Sequence, residues 1–316
     1  SRIEDLDRLF AAHPELTLVI AFKDEVTEVG DRFCGRKDLF QPHKFSTKVQ
    51  NISFSGKNLI KIGYRFFLGC PFIQAVDFRG LRALESVGGL FFMGAERITT
   101  LDLGGLTALV NIGACFFCDA ESLQFLDTRG LGAVREIGSS FFDGASQLTC
   151  ADLSYLKRLK GIGDMFLADV PIQEIDISDM TKLERIGGFF LYHTHALESV
   201  KFGRLDNLKF IEHHFLVSCS QLKCLNLSGC INLQSVGNEF LCETDALESV
   251  NFGRLENLTF IGDNFLASCS SLKWLNLSGC PNLERIGSGF LKYANPEIEI
   301  YCHDESIKSL MRKAMV

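Results

Sequence analysis

The stretch LNLSGCINLQSVGNEFL, residues 225–241, returns fifty residues later as LNLSGCPNLERIGSGFL, residues 275–291. One phrase written twice at a fixed offset points to a chain assembled from repeats, so the period decides the fold. The pair Ile/Val-Gly keeps the register. Its apolar member falls at Val29, Ile62, Val87, Ile112, Ile137, Ile162, Ile186, Ile211, Val236, Ile261 and Ile286. From Ile62 onward the step is 25 residues, with a single step of 24. The first step is 33, which places an insertion near residues 35–45. Glycine follows each marker except Ile211, where Glu212 stands. The stretch 197–241 recurs as 247–291 with 30 of 45 positions identical, as a tandem duplication of two units would leave it.

A unit reads L-x-x-L-x-L-x-x-(L/C)-x-x-L-x-x-I-G-x-x-F-(F/L)-x-x-(A/C), and Leu222, Leu225, Leu227, Cys230, Leu233, Val236 and Phe240 fill one copy. The L-x-x-L-x-L part alternates as a strand does. The following glycine permits a tight turn. The I-G-x-x-F-F-x-x-A part changes to a period of three to four residues, which predicts a short helical turn. One coil of this kind cannot bury enough apolar surface to order itself. Stacked coils cover one another's open faces and pair their strands into a parallel sheet. Strands pack more closely than helical turns, so the stack is expected to curve with the sheet inside.

Four residues after each marker stands Phe, at 33, 66, 91, 116, 141, 166, 190, 215, 240, 265 and 290. This column predicts an aromatic spine running through the core.

The motif L-x-x-L-x-L-x-x-C-x-x-L, as in LKCLNLSGCINL at 222–233, resembles the leucine-rich repeat. The trailing I-G-x-x-F-x-x-x-C/A resembles the BspA-type (Treponema-type) subclass, and the 25-residue wording is similar to repeats of uncharacterised protist proteins. The resemblance covers about residues 15–302. It implies an α/β solenoid: a right-handed superhelix with a parallel β-sheet on the concave face and short helical turns on the convex face. It implies protein–protein binding, often at a cell surface, and brings no catalytic residues.

A solenoid needs capped ends. The expected organisation is one domain, 1–316, with an N-terminal capping helix (1–14), about eleven coils (15–295) and a strand–helix cap (296–316). Ser1 and Glu4 have capping-box spacing, and Asp304 is placed to cap a final helix, Glu305–Met315.

The concave surface follows from strand alternation. The column between the second and third apolar positions reads Ser53, Asp77, Asp102, Asp127, Asp152, Asp176, Lys201, Asn226, Asn251, Asn276 and Glu299. A second outward column contains Phe125, Cys150, Cys224 and Trp274, the single tryptophan. The expected partner-binding residues are therefore Asp77, Asp102, Phe125, Asp127, Asp152, Asp176, Lys201, Asn226, Asn251, Trp274 and Asn276. Carboxylates about 4.8 Å apart repel, by roughly 1 kcal/mol per pair in water. Raised pKa values are expected along the stripe, with Arg79 and Arg129 as counter-charges. A basic segment of a protein partner would suit such a groove, whereas an ordinary repeat preference for Asp would explain it equally.

Other signals weigh less. The net charge of −7 opposes nucleic-acid binding. No run of about 18 apolar residues exists. Of the twelve cysteines, Cys70, Cys219 and Cys269 fall in a column shared with Ala and Thr, and Cys230 and Cys280 in one shared with Leu, as small buried residues do. They are expected as free thiols, which favours an intracellular, cytoplasmic home, with the cell surface as the alternative. Sequons at Asn226 and Asn276 would put glycans on the binding face. Cys115-x-x-Cys118 lacks a second matching pair for zinc. His193, His195, His213 and His214 cluster on adjacent coils, and a polar patch is favoured over a metal site. Nucleophile, P-loop and zincin motifs are missing, so a non-catalytic, cofactor-free monomeric scaffold is expected.

Phe166→Ala should destabilise the protein by about 3–5 kcal/mol in urea denaturation. A loss below about 1 kcal/mol would remove the spine from the core.

Overall fold

The computed structural model of the protein describes residues 8–9, 11–31, 49–67 and 70–315. Phe33, the expected insertion and the Ser1–Glu4 capping box lie outside these. The chain forms two compact units, Ser1–Leu156 and Lys157–Val316.

Each unit is a parallel β-solenoid with two strand segments per coil. In the first unit, Thr17–Ala21, Asn51–Ser55, Ala75–Gly80 and Thr100–Asp102 form one parallel sheet, and Phe125–Asp127 pairs with Cys150–Asp152. The Ile/Val markers make their own ladder of two-residue strands, Glu28–Val29, Lys61–Ile62, Ser86–Val87, Asn111–Ile112 and Glu136–Ile137. In the second unit, Glu174–Asp176 pairs with Ser199–Lys201, and Cys224–Asn226, Ser249–Asn251, Trp274–Asn276 and Glu299–Tyr301 form a four-stranded sheet. Its marker ladder runs from Gly161–Ile162 to Arg285–Ile286. Every pairing joins equivalent residues of successive coils, such as Leu225 with Val250 and Leu275 with Ile300. The marker glycines sit where coils touch backbone to backbone. A Cβ on Gly237 would come within 2.5 Å of the His213 amide nitrogen. At the one exception, Glu212, the ring of the neighbouring His213 packs over Gly188 of the coil before it.

The aromatic spine is present in both units. In the first, Phe66, Phe91, Phe116 and Phe141 stack with centroids 5.3, 5.5 and 6.0 Å apart and planes within 14°. In the second, Phe166, Phe190, Phe215, Phe240, Phe265 and Phe290 stack at 5.1–5.6 Å. These are offset-parallel stacks, worth about 0.5–1.5 kcal/mol per pair beyond burial. The first unit adds a second column, Phe67, Phe92, Phe117 and Phe142, at 4.9–5.4 Å. The second unit has Leu there.

The expected helical turn is replaced by another structure. Around each spine Phe of the second unit, the residues one before, one after and three after are all left-handed. Met165, Leu167 and Asp169 are one such set, and His214, Leu216 and Ser218 another. Such a conformation costs about 1–2 kcal/mol for a residue with a Cβ. Inter-coil hydrogen bonds and burial offset it. The His214 N–H donates to the Asn238 carbonyl in the next coil (2.8 Å), the Ser218 N–H to Cys242 (3.0 Å), and the Leu216 N–H back to Phe190 (3.0 Å). Leu216 is fully buried. The turn segment is thus a third ladder between coils. The first unit differs at one peptide. Phe67, Phe92 and Phe117 are not left-handed, and the N–H groups of Phe67 and Phe92 donate forward, to Phe91 and Phe116, whereas Phe142 is left-handed like the leucines.

This difference accompanies side-chain donors at four places in one column of the sequence. With the leucine N–H turned backward, the leucine carbonyl takes a bond from the next coil. Thr194 Oγ1 donates to the Leu167 carbonyl (3.4 Å), Cys219 Sγ to Leu191 (3.3 Å), Thr244 Oγ1 to Leu216 (3.1 Å) and Cys269 Sγ to Leu241 (3.1 Å). The first unit has Cys70, Ala95, Ala120 and Ala145 in this place, and the second unit also has Val170 and Ala294 there, which offer no side-chain donor. Cys219 and Cys269 are therefore donors, which corrects their reading as merely small apolar residues. Burial pushes the Cys269 thiol up to about 12, and Cys230 and Cys280 likewise.

The last coil ends in helix α1, Glu305–Ala314. Asp304 caps it by accepting from the Ser306 N–H (2.7 Å), and Ile307, Met311 and Ala314 are buried. The Phe290 N–H donates to the Ala314 carbonyl (3.1 Å), so the helix closes the final spine position.

Cys269→Thr should keep the wild-type melting temperature, because Thr supplies the same donor. Cys269→Val, of equal shape, should lose about 1–3 kcal/mol by leaving the carbonyl short of a partner. Differential scanning calorimetry of the pair tests this.

Candidate functional site

The outward residues of the three-residue strands form the candidate surface, considered separately in each unit. In the first unit Asp77 lies opposite Asp102, Phe125 opposite Cys150, and Asp127 opposite Asp152. Phe125 is half exposed, at 50%. In the second, Asp176 lies opposite Lys201, and Asn226, Asn251 and Asn276 form a row. Trp274 is partly buried against Tyr301, with centroids 5.6 Å apart. Strand pairing is interrupted between Thr100–Asp102 and Phe125–Asp127, and between Ser199–Lys201 and Cys224–Asn226.

The Asp/Asn column has a local task that spacing alone did not reveal. Each side-chain Oδ1 accepts the backbone N–H two residues on. The pairs are Asp77 with Arg79 (2.8 Å), Asp102 with Gly104 (2.9 Å), Asp127 with Arg129 (2.8 Å), Asp152 with Ser154 (3.0 Å) and Asp176 with Ser178 (2.9 Å). Asn226, Asn251 and Asn276 do the same for Ser228, Gly253 and Ser278 at 2.9–3.0 Å. These are Asx turns, which only Asp and Asn make well, and the strand ends at the Asx residue everywhere except Asp77, whose strand runs on to Gly80. The signal available in the sequence was the recurring (D/N)-x-(S/G/R).

The electrostatics also differ from expectation. Arg79 hydrogen-bonds Asp77 (Nη2 to Oδ2, 2.7 Å) and reaches Asp102 (3.4 Å), while Arg129 pairs with Asp127 (3.2 Å). The Arg79 hydrogen bond outweighs burial and holds the Asp77 carboxyl below the usual range. At Asp176, burial acts upward, but hydrogen bonds from Ser178 and the charge of Lys201 prevail, so this carboxyl also lies low. The expected upward shift by mutual repulsion is reversed at both positions.

A second cluster occupies the turn segments of the second unit. His214 stacks on Phe189 (4.3 Å, 10°), and its Nε2 meets Glu239 (3.1 Å). His213 stands edge-on to the same Phe ring. Tyr192 stacks on His193 (3.8 Å), which lies 3.5 Å from Asp169. His195 Nδ1 donates to the Ser218 carbonyl (2.8 Å). Among the described residues no group of three or more His, Cys, Asp or Glu is placed to hold a metal. His214 Nδ1 is buried without a partner. Burial lowers the His214 pKa, Glu239 opposes this, and His213 adds to it.

A depressed imidazole favours the folded state fully above its ordinary value, about 6.5, and loses that contribution as pH falls through it. The groups facing His214 are Glu239 from the next coil, His213 beside it, and Tyr192 and Phe189 from the coil before. His214→Asn, the residue found at Asn264 in the sister copy, should shrink the drop in melting temperature between pH 7.5 and 5.5. An unchanged drop would assign it to other groups.

Comparison with known proteins follows the same lines. The family model described as BspA type leucine rich repeat region (6 copies) matches residues 43–164, 135–273 and 184–314. No curated protein sequence matches the chain. Among solved structures, a leucine rich cell surface protein from Faecalibacterium prausnitzii A2-165 is 17% identical, covering 93% of this chain and 90% of its own, with a TM-score of 0.48. The pneumococcal vaccine antigen PcpA is 17% identical, covering 94% and 76%, with a TM-score of 0.50. At such identities the likeness concerns the fold. The matched repeats span most of the chain, and the protein belongs to the BspA-type leucine-rich-repeat family.

Proposed function

We propose that this chain is a non-catalytic protein-interaction scaffold, and that the outward strand face of its first unit takes a basic extended segment of a partner protein. One observation carries the reading. The Asx turns need an acceptor, not a charge, because Asn makes them at 226, 251 and 276. The carboxylates of Asp77, Asp102, Asp127 and Asp152 therefore exceed the structural need. Arg79 and Arg129 offset part of that charge, and among the described residues no lysine or arginine pairs with Asp152. Phe125, exposed beside Asp127 and Asp152, offers an aromatic surface to an alkyl-ammonium or guanidinium stem. In the second unit Lys201, Asn226, Asn251, Asn276 and Trp274 would extend recognition by polar contacts.

The cell-surface or secreted reading, in which the chain acts as an adhesin-like repeat protein, shares this binding face. Among the described residues eleven cysteines are free. Burial slows several of these thiols toward reaction, so their free state fits either compartment. Counting reactive thiols in denatured protein from its native source separates the two. Twelve would favour the cytoplasm, and fewer the surface. Among the described residues no helix is long and apolar enough to cross a membrane.

The triple variant Asp102→Asn, Asp127→Asn, Asp152→Asn keeps the turns and removes three charges. In a pull-down from its native source, it should lose partners that wild type holds at low salt and releases at high salt. Equal capture by both proteins at low salt would overturn the basic-segment reading.

A further inference from the structure

In the second unit the Asx column has two exceptions: the last strand places Tyr301 opposite Asn276, with the expected Glu299 opposite Trp274 instead, and the other exception lies inside the array. Lys201 stands where its neighbours have Asp176 and Asn226, and where the sister copy has Asn251. Lysine has no acceptor to give. Around it the backbone is unchanged. Gly203 and Gly253 share left-handed φ values of 59° and 62°, and a Cβ at either would collide with the serine of the preceding coil, at 2.5 and 2.4 Å. The Gly253 N–H donates to Asn251 Oδ1 (2.9 Å). Among the described residues nothing accepts from the Gly203 N–H.

Gly203 lines a depression of about 410 Å³, with Ser178, Lys201, Asn226, Ser228 and Gly229 among its other lining residues. It falls where strand pairing is interrupted between Ser199–Lys201 and Cys224–Asn226. Its floor is backbone, because a Cβ on Gly229 would reach within 1.9 Å of the Gly203 carbonyl oxygen. The groups bordering it are mostly donors. Asn226 Oδ1 is already engaged by the Ser228 N–H (3.0 Å), which leaves the Asn226 amide nitrogen outward. The Lys201 ammonium, the Gly203 N–H and the Ser228 hydroxyl complete the set. Of the neighbouring carboxylates, Asp176 is held in its own turn by the Ser178 N–H (2.9 Å) and hydroxyl (2.6 Å), and Asp206 is paired with Arg204 (2.9 Å).

We infer that this depression is a carboxylate-binding subsite, in which one ligand oxygen takes the Gly203 N–H that an Asn side chain takes in the sister coil, and Lys201 neutralises the charge. A monoanion suits it better than a dianionic phosphate, since Asp176 remains beside it. The inference rests on the scaffold reading only in expecting the carboxylate to come from a peptide, as a C-terminus or an acidic side chain.

The dipeptide Phe-Gly occurs in this chain only at 202–203 and 252–253. Full-length protein labelled with [1-13C]phenylalanine and [15N]glycine therefore reports two amides, the candidate and its internal control. Sodium acetate should move the Gly203 proton downfield in a saturable way and leave Gly253 in place. Lys201→Asn, which restores the sister pattern, should weaken the response at least tenfold. Lys201→Met, which removes the charge without supplying an acceptor, should weaken it while Gly203 still shifts. Gly203 unmoved by acetate, or both glycines moving alike, would overturn the subsite. A peptide with a free C-terminus and its amidated counterpart carrying an internal Glu then separate the two sources. None of these readings depends on the acidic face of the first unit, so the two proposals fail independently.

Discussion

Hydrogen bonding from one coil to the next is the constraint on which each unit depends. A coil of about 25 residues has too little apolar surface to fold alone, and much of its backbone would be buried without partners. Three ladders meet that demand: the outward strands, the two-residue marker strands, and the turn segments with their left-handed residues. The phenylalanine spine fills the space these ladders enclose. Because rings repeat at the spacing of the coils, each Phe finds the next already in register.

The left-handed residues show how strongly this demand acts. Leucine, methionine and glutamate avoid positive φ in most settings, yet here they hold it coil after coil. Glycine takes the same positions at Gly94, Gly144 and Gly289, which marks them as backbone-determined sites. At four of the reversed peptides beside the spine a side-chain donor appears one coil away, as Thr194, Cys219, Thr244 and Cys269, while Val170 and Ala294 occupy the column without one. Side-chain chemistry in one coil thus answers backbone direction in its neighbour.

Much of this architecture was legible in the chain. The period, the Phe column, the outward positions and the capping helix all follow from spacing and alternation, which depend on local geometry. The turn segment was read as helical because its apolar residues recur every three to four positions, and a left-handed ladder leaves no mark in composition. The carboxylate pKa values were misjudged because repulsion between neighbours was visible in the sequence, while the Arg79 bond to Asp77 and the Ser178 bonds to Asp176 were not. Lys201 was visible as an odd member of its column. Its meaning required knowing what Asn251 does for Gly253.

The thiols and hydroxyls that reach across to a leucine carbonyl bear on how such a chain can change length. Donor and acceptor belong to different turns of the solenoid, so excising part of a turn strands a group on each side of the cut. Adding or removing a complete turn of the leucine kind preserves every match. The match of 197–241 with 247–291 at two positions in three is what a lineage restricted to whole-turn edits would leave behind.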